Sequence, residues 1–282
     1  MSVRIITDSG SDIVNPQNHN LTVVPLSIAF GTTTYSDGVD LTHEHFYELL
    51  VEGDTLPTTG QVTPFAFGEA IKAAQADGSE VVVITLSSKL SGTYESAVAA
   101  ASETTGVYVV DSKNVTVAER ILVDYALELV DEGRSAAEIA AALEEERERV
   151  CLVALLDTLE YLRRGGRIPS TVGAIGELLS IKPVIAIEDG EVAILGKARG
   201  SKNGRNLLNQ QIEKTGAIDF SKPLALGYTG LSSKLLRKYL ADNRALWEGH
   251  IAEDELPIHS IGATIGTHAG PGAIAVAYFR EV

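Results

Sequence analysis

Between Ile84 and Ala97 the chain reads ITLSSKLSGTYESA, seven hydroxyl side chains in fourteen residues. The stretch follows the β-branched run EVVVITL (80–86) and enters helical spacing from about Gly92. Three kinds of chemistry suit it. Ser91 can cap the helix. Ser91, Gly92 and the first-turn amides, which lack intrahelical partners, can receive an anion such as a carboxylate. Ser91 can also be a nucleophile, with His268 of IGATIGTHAGPGA (261–273) as its base. His268 is equally suited to donate to a carboxylate near neutral pH. The four glycines of 261–273 predict a loop that admits a ligand or another backbone. No nucleophile elbow, P-loop or dinucleotide glycine pattern occurs. His43 and His45 stand two apart on a predicted helix, share no face, and read as helix-surface residues rather than metal ligands.

The elements that must position these residues alternate. VRIIT (3–7), LTVVPLSIAF (21–30), EVVVITL, VYVVDS (107–112) and CLVALL (151–156) read as strands, with helical patterns between them. Thr42, Thr63 before Pro64, and Ser135 with Glu138 mark helix starts. The N-terminal half, residues 1–156, therefore reads as a doubly wound, mostly parallel α/β layer. Residues 157–282 mix helices with strands, including a hairpin around Asp189-Gly190, and read as a second, α+β domain with a mixed sheet. STVGAIGELLS (170–180) has an apolar helical pattern, and with Phe65 and Phe67 it is a candidate wall for any internal ligand.

Composition narrows the classes. With 282 residues, 45% hydrophobic, the chain suits two domains. No run approaches the length of a membrane span, and the opening MSVRIITDSG predicts no secretory leader. The single cysteine, Cys151, sits in an apolar run and reads as a small core residue, which fits a reducing cytoplasm. The net charge of −15 argues against nucleic-acid binding. Residues 161–205 nevertheless carry eight Lys/Arg against four acids, a basic island for a phosphate or an acidic partner, or simply a solvated surface.

Eight stretches in order resemble the bacterial DegV family of fatty-acid-binding proteins: ITDSGSDI (6–13), YSDGVDL (35–41), LPTTGQVTP (56–64), LSSKLSGTYESA (86–97), VVDSKNV (109–115), LEYLRRGGRI (159–168), LLSIKPVI (178–185) and THAGPGAIAV (267–276). The resemblance implies a two-domain α/β fold with a long-chain fatty acid in a buried tunnel at the domain junction. It implies no cofactor and no nucleophile in this chain. It implies carriage of the acid to a separate fatty acid kinase subunit, whose acyl phosphate feeds phospholipid synthesis, with transient membrane contact. By position it places the carboxylate on Thr59, Ser91, Gly92 and His268, and puts Arg167 and Arg199 at the head-group mouth or the partner contact. Gly60 and Val62 stand where the family usually has Ser and Pro, and KARGSKNG (197–204) is looser than the family's Arg-Thr-Lys-Lys. Two other readings stay open: an enzyme acting on a phosphorylated or acylated small molecule through Ser91 and His268, and an interaction module using the basic island.

Overall fold

A computed structural model describes residues 2–53, 55–171 and 181–281 of the chain. The N-terminal layer is a four-stranded parallel sheet, β1 (Val3–Asp8), β2 (Leu21–Val24), β6 (Glu80–Thr85) and β7 (Val107–Asp111), in the order β2-β1-β6-β7. Val81 to Ile84 are fully buried, as a strand covered on both faces must be. Helices α2 (Pro64–Ala74) and α3 (Thr93–Ala101) cover one face, and α4 (Thr116–Asp131) and α5 (Ala136–Glu146) the other. The local signals act where they stand. Thr63 accepts from Ala66 N ahead of Pro64, and Ser135 and Glu138 form a reciprocal capping box.

The second layer is a mixed six-stranded sheet. It contains β8 (Val150–Leu155), β9 (Ile181–Glu188), β10 (Glu191–Arg199), β11 (Ala225–Tyr228), β12 (Ile258–Ser260) and β13 (Ile274–Phe279), in the order β10-β9-β8-β13-β11-β12. Asp189 and Gly190, both at positive φ, turn the β9–β10 hairpin. The run at 151–156 corrects its expected place. It lies between β9 and β13, antiparallel to both, and does not close the parallel layer. An apolar run fits either sheet, and its partner in β13 lies over a hundred residues away. By sheet membership the second layer thus begins at Val150, ahead of the expected division after residue 156.

Side chains alternate across this sheet. Val153, Leu155, Ile274, Val276 and Tyr278 face outward into a cluster with α7 (Ser201–Thr215) and α8 (Lys234–Asp242). Leu152, Ala154, Ala273, Ala275 and Ala277 face inward, into the core that holds the parallel sheet and α4. At Ala154, Ala275 and Ala277 the inner face is thus small in side-chain volume. LTVVPLSIAF breaks at Pro25 into β2 and a separate strand, β3 (Ser27–Phe30). β3 pairs with β4 (Thr33–Ser36) and with β5 (Thr58–Gly60), which lies inside the LPTTGQVTP stretch (56–64). Helix α1 (His43–Glu52) packs nearby, capped by Thr42 as expected.

The glycine-rich stretch is not a loop throughout. Ala263–Ala269 form a short helix, α9. A five-residue segment, α6 (Glu160–Arg164), packs beside it. Glycine costs about 1 kcal/mol per helical position, yet here it makes close packing possible. A Cβ on Gly262 would strike His43, on Gly266 would lie 2.6 Å from Phe46 and the Tyr47 hydroxyl, and on Gly270 would strike Tyr161. This also corrects the surface reading of His43, whose ring is mostly buried against Gly262, while His45 is exposed beside Glu48. The predicted helix at 170–180 lies almost wholly outside the described residues.

Candidate functional site

A cavity runs between the inner face of the mixed sheet and the loops at the carboxyl edge of the parallel sheet. That edge is where open α/β sheets receive ligands. Its walls are mainly hydrocarbon: Leu26, Leu86 and Val115 from the first layer, Leu152 and Ile185 from the second, Ile265 from α9. Ala154 and Ala275, directly opposed on β8 and β13, form the floor. The cavity is a narrow slot with a volume of about 200 Å³.

The slot has a polar mouth. Thr59, Arg167 and His268 line both the slot and an adjoining outer cleft bounded by Leu56, Tyr161 and Arg164. Thr59 stands on β5 and His268 in the last turn of α9, and the Thr59 hydroxyl lies 3.0 Å from His268 Nε2. The other ring nitrogen, Nδ1, is buried over Gly165 and has no hydrogen-bond partner among the described residues. Any side chain on Gly165 would collide with that ring. Burial, and then the nearby Arg167 charge, lower the His268 pKa to about 4, so the ring is neutral at physiological pH.

Arg167 is the cation of the mouth. Its Nε and Nη2 donate to Leu90 O at 3.0 and 2.8 Å, and its Nη1 donates to Gly165 O at 2.7 Å. Burial lowers its pKa. No carboxylate pairs with it among the described residues, in contrast to its neighbours. Arg163 and Arg164 pair with Glu160, Lys182 with Asp157 and the buried Arg205 with Asp242. Much of the basic island is therefore already neutralised, and the positive charge left at the slot is that of Arg167.

Ser91 and Gly92 also line the slot, at the start of α3. The Ser91 hydroxyl lies 2.9 Å from that of Thr93, and Gly92 leaves room for the Gln61 side chain, which donates to Ser96 at 2.9 Å. Two other hydroxyls of this stretch have structural partners. Ser87 donates to Gly190 O at 2.7 Å, holding the β9–β10 turn, and Ser88 donates to Asp111 at 2.5 Å. Ser91 and His268 thus face one cavity but bond to different partners, so no nucleophile–base pair is formed. Burial pushes the Cys151 thiol pKa up, away from nucleophilic character.

Arg199 stands apart. It ends β10, exposed, opposite Ile181, and lines neither the slot nor the outer cleft. Phe65 is 77% exposed and Phe67 is fully buried, and neither lines the slot. The slot-lining threonines 116, 229 and 264 escaped sequence reading, because their partners are distant in the chain. Thr116 donates to Asp12, Thr264 donates to Asp37, and Thr229 accepts from Ala273 N. No group of His, Cys, Asp and Glu suited to a metal occurs among the described residues.

A hydrocarbon-lined slot ending in an unpaired guanidinium, a neutral imidazole and hydroxyls suits an amphiphile with an anionic head. Known proteins resemble this chain over almost its whole length. A DegV domain-containing protein of Caldanaerobacter subterraneus subsp. tengcongensis is 36% identical over 283 residues, covering 99% of each chain. A solved Thermus thermophilus DegV family protein, described for its fatty acid binding, superposes with a TM-score of 0.86 at 31% identity. That match covers 99% of this chain and 100% of the other. The Streptococcus pneumoniae fatty acid kinase B3 protein, solved with linoleic acid, gives a TM-score of 0.86 at 22% identity over the whole of both chains, a likeness of fold. The family model described as an uncharacterised protein of the DegV family matches residues 2–281, and this chain belongs to the DegV family.

Proposed function

We propose that the chain binds a long-chain fatty acid in the slot, with the carboxylate on Arg167, His268, Thr59, Ser91 and the Gly92 end of α3. The acyl chain lies along Ala154 and Ala275. The observation that carries this reading is Arg167: a guanidinium without an acid partner among the described residues, at the mouth of an otherwise apolar slot. A carboxylate leaving water needs several donors to offset lost hydration, and this group supplies them. Burial of the tail contributes about 0.8 kcal/mol per CH₂ before the costs of association, so the head mainly sets orientation.

The outer cleft makes the head accessible from outside while the tail stays covered. This supports the family expectation that a separate kinase subunit receives the carboxylate for acyl-phosphate formation. In this reading the chain is a carrier in the cytoplasm, without a cofactor or nucleophile of its own. Arg199 is then a partner contact and not a head-group ligand, and the ligand lies between two domains, divided near Val150. Membrane contact is transient, during loading.

The test is mass spectrometry of purified protein, native and then denatured with solvent extraction. The expected result is a stoichiometric loss whose mass is that of a fatty acid. Folded protein that carries none and takes up none refutes the proposal.

A further inference from the structure

Helix α9 supplies four residues to the slot, Thr264, Ile265, His268 and Ala269, yet it has only seven residues. A helix of two turns has little stability of its own, so its placement depends on docking. Its N-cap, Gly262, has no side chain to cap it. Two buried carboxylates from the far end of the chain do that work. Asp12 Oδ1 accepts from Gly262 N at 2.7 Å. Asp37 accepts from Ala263 N at 3.2 Å, Thr264 N at 3.0 Å and the Thr264 hydroxyl at 2.5 Å. Ser9 donates at 3.2 Å to Asp37 Oδ2, the oxygen that accepts from Thr264, and the Tyr47 hydroxyl donates to Ile261 O at 3.0 Å. Neither carboxylate has a Lys or Arg ion-pair partner among the described residues.

Thr264 and His268 are four apart and lie on one face of the helix. Asp37 grips Thr264 by both amide and hydroxyl, which fixes the rotation of α9 about its axis as well as its position. With side-chain tips about 6 Å from a helix axis, a turn of about 20° moves the imidazole about 2 Å, enough to break its contact with Thr59.

We propose that Asp37 is a positioning residue for the head-group site, acting through α9 to hold His268 against Thr59. The inference rests on the fatty-acid reading for its ligand, and its test separates the two. The probes are one saturated fatty acid and the alcohol of equal chain length, titrated against the full chain, Asp37→Asn, His268→Ala and the double variant. The ¹⁵N shifts of the His268 ring are recorded in parallel for wild type and Asp37→Asn. Asn keeps the side-chain shape but loses one of the carboxylate's acceptor oxygens.

Asp37→Asn is expected to weaken acid binding about tenfold, to leave alcohol binding within about twofold, and to add nothing in the His268→Ala background. Its His268 ring shifts move. Unchanged acid preference, additive losses, or equal loss for acid and alcohol overturns the proposal. Wild type that binds neither probe refutes the fatty-acid reading instead, and the ring shifts still decide whether Asp37 positions His268. Should Asp37→Asn not fold, Thr264→Val, which removes the hydroxyl contact to Asp37 and keeps the carboxylate itself, is read by the same ring shifts and the same acid-to-alcohol ratio.

Discussion

His268 makes ligand binding pH-dependent in a calculable way. In the unliganded protein its pKa is held at about 4, below the ordinary 6.5, by burial and then by Arg167. An anionic head beside the ring adds the opposite charge and raises that pKa. Binding then takes up a proton at any pH between the free and the bound value. If the head restores the ordinary 6.5, affinity rises about tenfold between about pH 7.5 and about pH 5.5, because the free protein scarcely titrates there. The assay is calorimetric or fluorescence titration with a long-chain alkyl sulfonate, whose head stays ionised throughout, so that the slope belongs to the protein. Proton uptake on binding, read from the dependence of binding enthalpy on buffer ionisation, should approach one near the low end of the range. His268→Gln should flatten the profile. A flat wild-type profile, or a slope that survives His268→Gln, would refute the assignment of the imidazole to the head-group site.

Further predictions follow from the same geometry. Ser91→Ala and Thr59→Ala should each weaken fatty-acid binding by about 1 kcal/mol, roughly fivefold, and leave the matching alcohol less affected; equal effects on both ligands would place these hydroxyls away from the head. Ala275→Leu puts three more carbons into the slot opposite Ala154, and long acids should lose at least about tenfold in affinity while thermal stability stays near wild type or falls slightly; retained affinity for a long acid would place the chain elsewhere. Stability should fall as pH rises above about 6.5. Burial raises the Asp8 carboxyl to about 7 and that of Asp12 to about 8, from 3.8, so their contribution is present at low pH and is lost as pH rises through those values. His259 and His268, both lowered from 6.5 to about 4, act in the opposite sense, losing stability as pH falls between those values. The two effects oppose each other between about pH 4 and about pH 6.5, so thermal melts should vary little there and fall from about pH 6.5 to about pH 8, and Asp12→Asn should reduce that fall; a melting temperature that climbs steadily to about pH 8.5 would contradict this.

What the sequence makes legible here is what is local. The caps at Thr42, Thr63 and Ser135 and the turn at Asp189-Gly190 depend on residues within a few positions, and they form as read. The hydroxyl-rich stretch was legible as an element but not in its division of labour. Ser87 serves a turn a hundred residues on and Ser88 serves Asp111, which leaves Ser91 at the slot. The place of β8 was not legible either, because an apolar strand carries no mark of which sheet will accept it.

Helix α9 is the instructive failure. Four glycines in thirteen residues argue for a loop if each residue is judged by its own propensity. Three of them, Gly262, Gly266 and Gly270, are spaced by four, which on a helix makes one bare face. On α1, His43 and Tyr47 share that spacing, and each meets its counterpart, Gly262 or Gly266, across the contact. The two spacings match because helix surfaces pack by rows four residues apart. The bare face lets α9 approach α1 closely, and its opposite needs, the amides at its start, are met by Asp12 and Asp37. A glycine period of four next to a histidine was therefore a readable signal for a docked helix. Recognising it requires asking what a glycine face would touch, and not only what a glycine costs.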